Sequence, residues 1–365
     1  MPFIDLKQQY ASMKESIDQR VHAVLDLGRF FNGPEVAELE EQLARYVGVT
    51  HAITCANGTD ALQLSLMALG VGVGDVVLCP TFTFFATAEA IALVGATPVF
   101  VDSNANTFNM CSTDLAAKVE AHQRAAKAII AVDLFGLPAD YPAIQVIAER
   151  YGLHLIEDAA QGFGGSIHDQ RAGSFGDIAT TSFFPAKPLG CYGDGGALFT
   201  DDDELAQRLR SLVVHGKGEH KYDNVRIGMN SRLDTIQAAI LLEKLAAFPA
   251  ELARRHAAAE RYSSGLSRIV DAPTVPDGYA SSWAQYTIKD TRRDAIMKQL
   301  AERGIPSMIY YQQCIHRQSA FAHNADDSLP IAEQLSSEVF SLPMSGYVPD
   351  ETIDTVVSAL TEIMA

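Results

Sequence analysis

Between residues 50 and 200 the chain alternates short apolar runs with longer stretches of helical spacing. Residues 51–56 (HAITCA), 75–80 (DVVLCP), 97–102 (TPVFVD), 127–134 (KAIIAVDL) and 153–158 (LHLIED) are short, apolar and closed by polar or turn residues. That pattern predicts buried strands. Residues 61–69, 85–94 and 143–152 between them repeat apolar positions at helical spacing. Strands alternating with helices predict βαβ units and a mostly parallel sheet, with ligands gathered at the carboxyl ends of strands. After Asp201 the texture changes to helical patterns at 201–216 and 231–266, with Pro249 expected to break or kink the second. A strand at 286–290 and helices at 294–305 and 350–364 complete a smaller α/β part. The expected division is a large domain of residues 1–245 and a small carboxy-terminal domain of residues 246–365.

Composition narrows the function classes. With 28 Lys and Arg against 45 Asp and Glu, the net charge is −17, which opposes nucleic acid and anionic membrane as partners. An anionic ligand must then be held by a local site. Five scattered cysteines, none spaced as CxxC, predict free thiols of a reducing compartment. The opening MPFIDLKQQY carries charge by its fifth residue, so no secretory signal is expected and the chain reads as cytoplasmic. No membrane span is expected, because the charge-free stretches are shorter than the ~18 residues a span needs. The ten histidines form no metal-spaced cluster, so no metal site is expected.

Three segments carry candidate chemistry. In HAITCANGTDALQ, a strand meets Asn57, Gly58 and Thr59 where a helix begins. Such a turn can cradle a phosphate on backbone N–H groups, or can simply cap the helix. In LHLIEDAAQGFGG a buried strand ends in Glu157 and Asp158, followed by Gln161. Asp158 is either a site carboxylate or a capping or salt-bridged aspartate. In TTSFFPAKPLGCYGDGGA, Lys187 lies among Phe183, Phe184, Pro185, Pro188 and Leu189, with Ser182 five residues before it. Desolvation lowers a lysine pKa, as imine chemistry requires. A phosphate cradle, a strand-end carboxylate and a desolvated lysine together are the parts that pyridoxal phosphate (PLP) needs.

Those segments, with FIDLKQQY, PTFTFFATAEA, LFGLPAD and GMNSRLDTIQAAIL, resemble the DegT/DnrJ/StrS sugar-nucleotide aminotransferases over essentially the whole chain. The resemblance implies an α/β, aspartate-aminotransferase-like fold of PLP fold type I, whose large domain holds a mostly parallel mixed sheet flanked by helices. It implies a PLP/PMP cofactor, with Lys187 as the lysine that carries it and Asp158 as partner of its ring nitrogen. Gln161 matches the residue beside its phenolic oxygen. Gly58, Thr59 and Ser182 match phosphate contacts, and Phe84 an aromatic ring against its face. Asn230 matches a residue reaching the cofactor phosphate of a neighbouring subunit, which implies a homodimer with shared active sites.

Arg232 is a candidate for a substrate anion, the alternative being a surface pair with Asp234 or Glu243. Tyr311 and His316 are further substrate candidates, in a segment where the family commonly shows YPxPLHxQ. Here that segment reads YYQQCIHRQ from Tyr310 to Gln318, with both prolines replaced. Within the family the chain is most similar to enzymes that aminate C3 of a UDP-linked 2-acetamido-3-keto-glucuronic acid, using L-glutamate and releasing 2-oxoglutarate, for surface polysaccharide (O-antigen) assembly. A 4-keto-sugar aminotransferase and a non-catalytic regulator binding PLP or nucleotide sugars are the alternatives. Retention of Lys187, Asp158 and Gln161 argues for an enzyme.

Overall fold

The computed structural model describes residues 1–220, 222–324 and 328–365. Two helices, α1 (Leu6–Leu27) and α2 (Pro34–Val47), precede β1 (His51–Cys55). Then follow α3 (Gly58–Ala68), β2 (Val76–Pro80), α4 (Ala86–Leu93), β3 (Thr97–Val101), α5 (Ser112–His122), β4 (Ala126–Val132), α6 (Tyr141–Tyr151) and β5 (His154–Asp158). After two short strands, β6 (Ser166–Ile167) and β7 (Gln170–Arg171), come β8 (Ile178–Ser182), β9 (Gly196–Thr200) and α7 (Asp203–Leu212). The rest comprises α8 (Thr235–Leu266), β10 (Tyr279–Ala280), β11 (Tyr286–Lys289), α9 (Arg293–Glu302), α10 (Pro330–Glu338), β12 (Val339–Leu342) and α11 (Asp350–Met364).

Seven strands form the main sheet in the order β1-β9-β8-β5-β4-β2-β3. Strands β3, β2, β4, β5 and β8 run parallel, and β9 is antiparallel to both β8 and β1. This is the expected mostly parallel mixed sheet. The five predicted strands are β1 to β5, and their ends carry the candidate chemistry to one edge of the sheet. Strands β8 and β9 escape the apolar pattern: three of the five residues of IATTS are threonine or serine, and GALFT follows a glycine-rich segment.

Helix α8 overturns the expected break at Pro249. It runs unbroken for 32 residues with Pro249 inside. Proline removes one backbone donor, at a cost of ~3 kcal/mol in a helix interior, but both flanks of this helix are held by burial. Ala238, Leu241, Leu245 and Phe248 pack with Phe163, Phe183 and Phe199 beneath the main sheet. Ala258, Ala259, Tyr262 and Leu266 pack with Tyr286, Ile288, Phe340 and Val356 around the two-stranded β11-β12 sheet. Pro249 itself is exposed. Later in the chain, Cys314, Ile315, Phe321, Leu329, Ala332 and Leu335 return to the core of the main sheet. Among the described residues no helix is long and apolar enough to cross a membrane.

Candidate active site

The turn after β1 is shaped by glycine. Asn57 caps α3 by accepting the Asp60 N–H at 2.8 Å. A Cβ on Gly58 would lie 2.7 Å from the Ser182 Cβ, so only glycine lets the start of α3 approach the end of β8. Gly58, Thr59 and Ser182, 124 residues apart between first and last, thus meet where free N–H groups of a helix start face outward. The Ser182 hydroxyl accepts the Phe184 N–H at 3.2 Å and leaves its own proton available. That cradle suits a phosphate.

Asp158 closes β5 and is buried. Its carboxylate accepts the Ala160 N–H at 3.1 Å and faces the Thr87 hydroxyl at 3.4 Å. Burial raises its pKa, opposed by the Ala160 N–H, the Lys187 charge and the Thr87 hydroxyl. Lys187, on the β8–β9 connection, has its pKa lowered by burial and held up by Asp158. Among the described residues its Nζ makes no hydrogen bond to protein. A buried carboxylate therefore stands in the field of an uncommitted, partly desolvated amine.

Gln161 and Tyr311 join that pair. The Gln161 amide nitrogen donates to the Tyr311 hydroxyl at 3.2 Å, and the Tyr311 pKa is raised by burial and then by the Asp158 charge. The exposed Phe84 ring lies 6.1 Å from the Tyr311 ring, centroid to centroid, while Phe82 is core. The structure thus gathers Asp158, Gln161, Lys187, Tyr311 and Phe84 at one place. Thr87, from the start of α4, belongs with them and was invisible in the sequence because nothing local marks a threonine as a carboxylate's donor.

Two candidates lie elsewhere. Asn230 is exposed, and its Oδ1 accepts the Arg232 Nε–H at 3.1 Å. Arg232 rests over the Phe31 ring, 4.7 Å from the centroid. Neither expected carboxylate pairs with it: Glu243 is taken by Arg20, and among the described residues Arg232 has no ion pair. His316 requires a correction. It is 0% exposed, with Nδ1 at 2.6 Å from the Thr81 hydroxyl and Nε2 at 3.1 Å from Glu333. Both ring nitrogens are occupied inside the fold, so His316 supports the Tyr311 segment and does not present itself to a substrate.

Beneath Asp158 lies a second feature that the sequence did not announce. Glu157 points to the opposite face of β5, as strand alternation requires, and accepts the Gly173 and Phe175 N–H groups at 2.7 and 2.8 Å. Asp133 accepts the Ala139 N–H at 3.0 Å and the Tyr141 hydroxyl at 2.8 Å, while its other oxygen meets no ordinary donor. Burial pushes Asp133 up to about 7 and Glu157 well above the carboxylate range. The unfolded chain would release the Asp133 proton near 3.8. The folded state thus binds more protons between pH 3.8 and 7, and the stability from this group falls as pH rises through that window. Asp133→Asn should flatten the fall. Thermal midpoints from pH 4 to 8 (a range of about this window) check it, and equal slopes in both proteins would refute it.

A lysine in the field of a strand-end aspartate, beside a helix start shaped for phosphate, on a seven-stranded mixed sheet, defines a PLP enzyme of the aspartate-aminotransferase architecture. The fit is physical: the glycine cradle, the uncommitted amine and the buried carboxylate are the groups that would meet the cofactor's phosphate, aldehyde and ring nitrogen in turn. The model of the DegT/DnrJ/EryC1/StrS aminotransferase family matches residues 11–361. The chain belongs to that family, and it is a PLP-dependent sugar aminotransferase. It is 46% identical over 360 residues to the UDP-2-acetamido-2-deoxy-3-oxo-D-glucuronate aminotransferase of Pseudomonas aeruginosa, covering 98% of this chain and 99% of that protein. A DegT DnrJ EryC1 StrS aminotransferase from Brucella abortus superposes with a TM-score of 0.98 at 50% identity, over 100% of both chains. A Bacillus subtilis protein solved with bound cofactor PMP gives 0.93 at 31% identity, over 100% of this chain and 85% of that one.

Proposed function

We propose that the chain transfers an amino group from L-glutamate to C3 of a UDP-linked 2-acetamido-3-keto-glucuronic acid. Support for the sugar comes from the P. aeruginosa relative, and support for the carboxylate from Arg232, a guanidinium with no ion-pair partner among the described residues. Guanidinium and carboxylate pair in a bidentate fork, and this one lies over the Phe31 ring.

The residues divide the work. Gly58, Thr59 and Ser182 hold the cofactor phosphate, and Phe84 and Tyr311 wall the site. Asp158 keeps a proton on the ring nitrogen, and Gln161 directs an N–H to the phenolic oxygen. When bound, PLP supplies an aldehyde and an electron-accepting ring. Lys187, whose pKa burial lowers, is the amine that would carry the cofactor and move the proton at the substrate carbon.

The catalytic unit is a homodimer in this reading, with Asn230 directed to the cofactor phosphate of a second copy. Exposed apolar side chains support a covered surface there: Ile227, three residues before Asn230, at 88%, and Phe31, brought beside this segment by its bridge to Asp234, at 54%. Residues 1–245 form the cofactor part and 246–365 the carboxy-terminal part, and the enzyme works in the cytoplasm toward surface polysaccharide.

Mixing the PMP form with UDP- and dTDP-linked 3-keto- and 4-keto-sugars and recording the return of the PLP spectrum tests this. The UDP-linked 3-keto-glucuronate should respond most strongly; a stronger response to any 4-keto-sugar would overturn the assignment. Arg232→Ala should raise KM for the uronate about 10- to 100-fold, the range of a lost charged hydrogen bond. An uncharged analogue should change little, and equal losses would remove Arg232 from the carboxylate.

A further inference from the structure

The Gln161 side chain is held by backbone on one side only, and that fixes which way round its amide sits. The Phe135 N–H lies 2.8 Å from Gln161 Oε1. A backbone N–H can only donate, so that end must be the oxygen and the NH2 group must face Tyr311. Phe135 reaches this position with φ at +59°, a conformation that bulky residues rarely adopt and that concentrates at functional sites.

A second segment holds both partners from the carboxy-terminal side. The Ser282 hydroxyl donates to the Gln161 backbone carbonyl at 2.6 Å. The Ser282 N–H donates to the Gly136 carbonyl at 2.9 Å, and the Gln285 N–H to the Phe135 carbonyl at 3.3 Å. Gly136, at φ +107°, leaves the room: a Cβ there would lie 2.4 Å from the Ser282 hydroxyl and 2.8 Å from the Trp283 and Ala284 nitrogens. Ser282 is 0% exposed and touches none of the reacting groups, so its influence on the site passes through Gln161 and Phe135.

We propose that Ser282 and Phe135 are positioning residues that lock the Gln161 amide with its NH2 group turned into the active site, ready to donate to an anionic oxygen of the bound cofactor. This rests on the reading that Gln161 lies beside the phenolic oxygen. A donor aimed at that oxygen stabilises the more negative form of the cofactor, so losing the donor raises the pH at which the cofactor ionises.

The test follows the visible absorption of the bound cofactor against pH in the holoenzyme, for wild type, Gln161→Ala and Ser282→Ala, with thermal unfolding recorded beside it. Gln161→Ala should raise the pH midpoint by about one unit, and Ser282→Ala by about half of that, in the same direction. Should Ser282→Ala fail to fold, the near-isosteric Ser282→Cys, a weak donor, should show the same upward shift. A shifted Gln161→Ala with Ser282 variants at the wild-type midpoint overturns the positioning role alone. An unshifted Gln161→Ala overturns the reading of Gln161 on which it rests.

Discussion

Lys187→Ala will fold, bind cofactor weakly and transfer amino groups about four orders of magnitude or more below wild type, the upper range for a lost acid–base group. The loss is chemical and not architectural. The backbone of residue 187 keeps its bond from N–H to the Phe184 carbonyl at 2.8 Å, and the neighbouring packing belongs to Phe183, Leu189 and Cys191. What disappears is the amine in the field of Asp158. Spectra of the purified variant should lack the band of lysine-bound PLP, and added small primary amines should restore part of the rate by replacing the missing nitrogen. A variant within tenfold of wild type, an allowance of about 1.4 kcal/mol in the barrier, would remove Lys187 from the reaction.

Asp158→Asn should come next in size. Asparagine keeps the shape of the side chain and can still face the Thr87 hydroxyl and the Ala160 N–H, but it carries no charge. Without a negative charge opposite the ring nitrogen, kcat should fall by roughly two to four orders of magnitude, a barrier increase of about 3–5 kcal/mol. The phosphate cradle at Gly58 and Ser182 lies apart from this substitution, so cofactor affinity should fall much less than kcat. Measuring both separately decides the role: a normal kcat with weakened cofactor binding would make Asp158 an anchor only. Loss of the Asp158 charge should also lower the Lys187 pKa further, because that charge is what opposes burial there.

The parts of this molecule legible in its sequence are those where one segment carries the whole signal. Strands β1 to β5 are short apolar runs, and Asp158, Gln161 and Lys187 sit in segments whose local composition is unusual. Helix α1 gives no such signal, since only Gln9, Ile17 and Val24 are buried along its 22 residues. Contacts between distant segments were equally hidden: Gly58 against Ser182, Thr87 against Asp158, Ser282 against Gln161. His316 shows the converse limit. A histidine in a polar stretch looks available for ligands, and only the fold reveals Thr81 and Glu333 on its two nitrogens. The family likeness supplied the expectation for Asn230, and the chemistry of a guanidinium the one for Arg232; no periodicity could supply either.

The continuity of α8 bears on how this chain could be dissected. A fragment ending at residue 245 would cut the rod inside its first core and lose Phe248, which packs there with Leu245. It would also remove Cys314, Ile315, Phe321 and Leu335, which cover Phe82 and Phe100 in the core of the main sheet. Each half would expose apolar surface that the other half buries, so neither truncated piece would make a soluble module for domain grafting. Swaps between relatives, if used to move sugar preference, belong in the exposed stretch 222–227, where no core is divided.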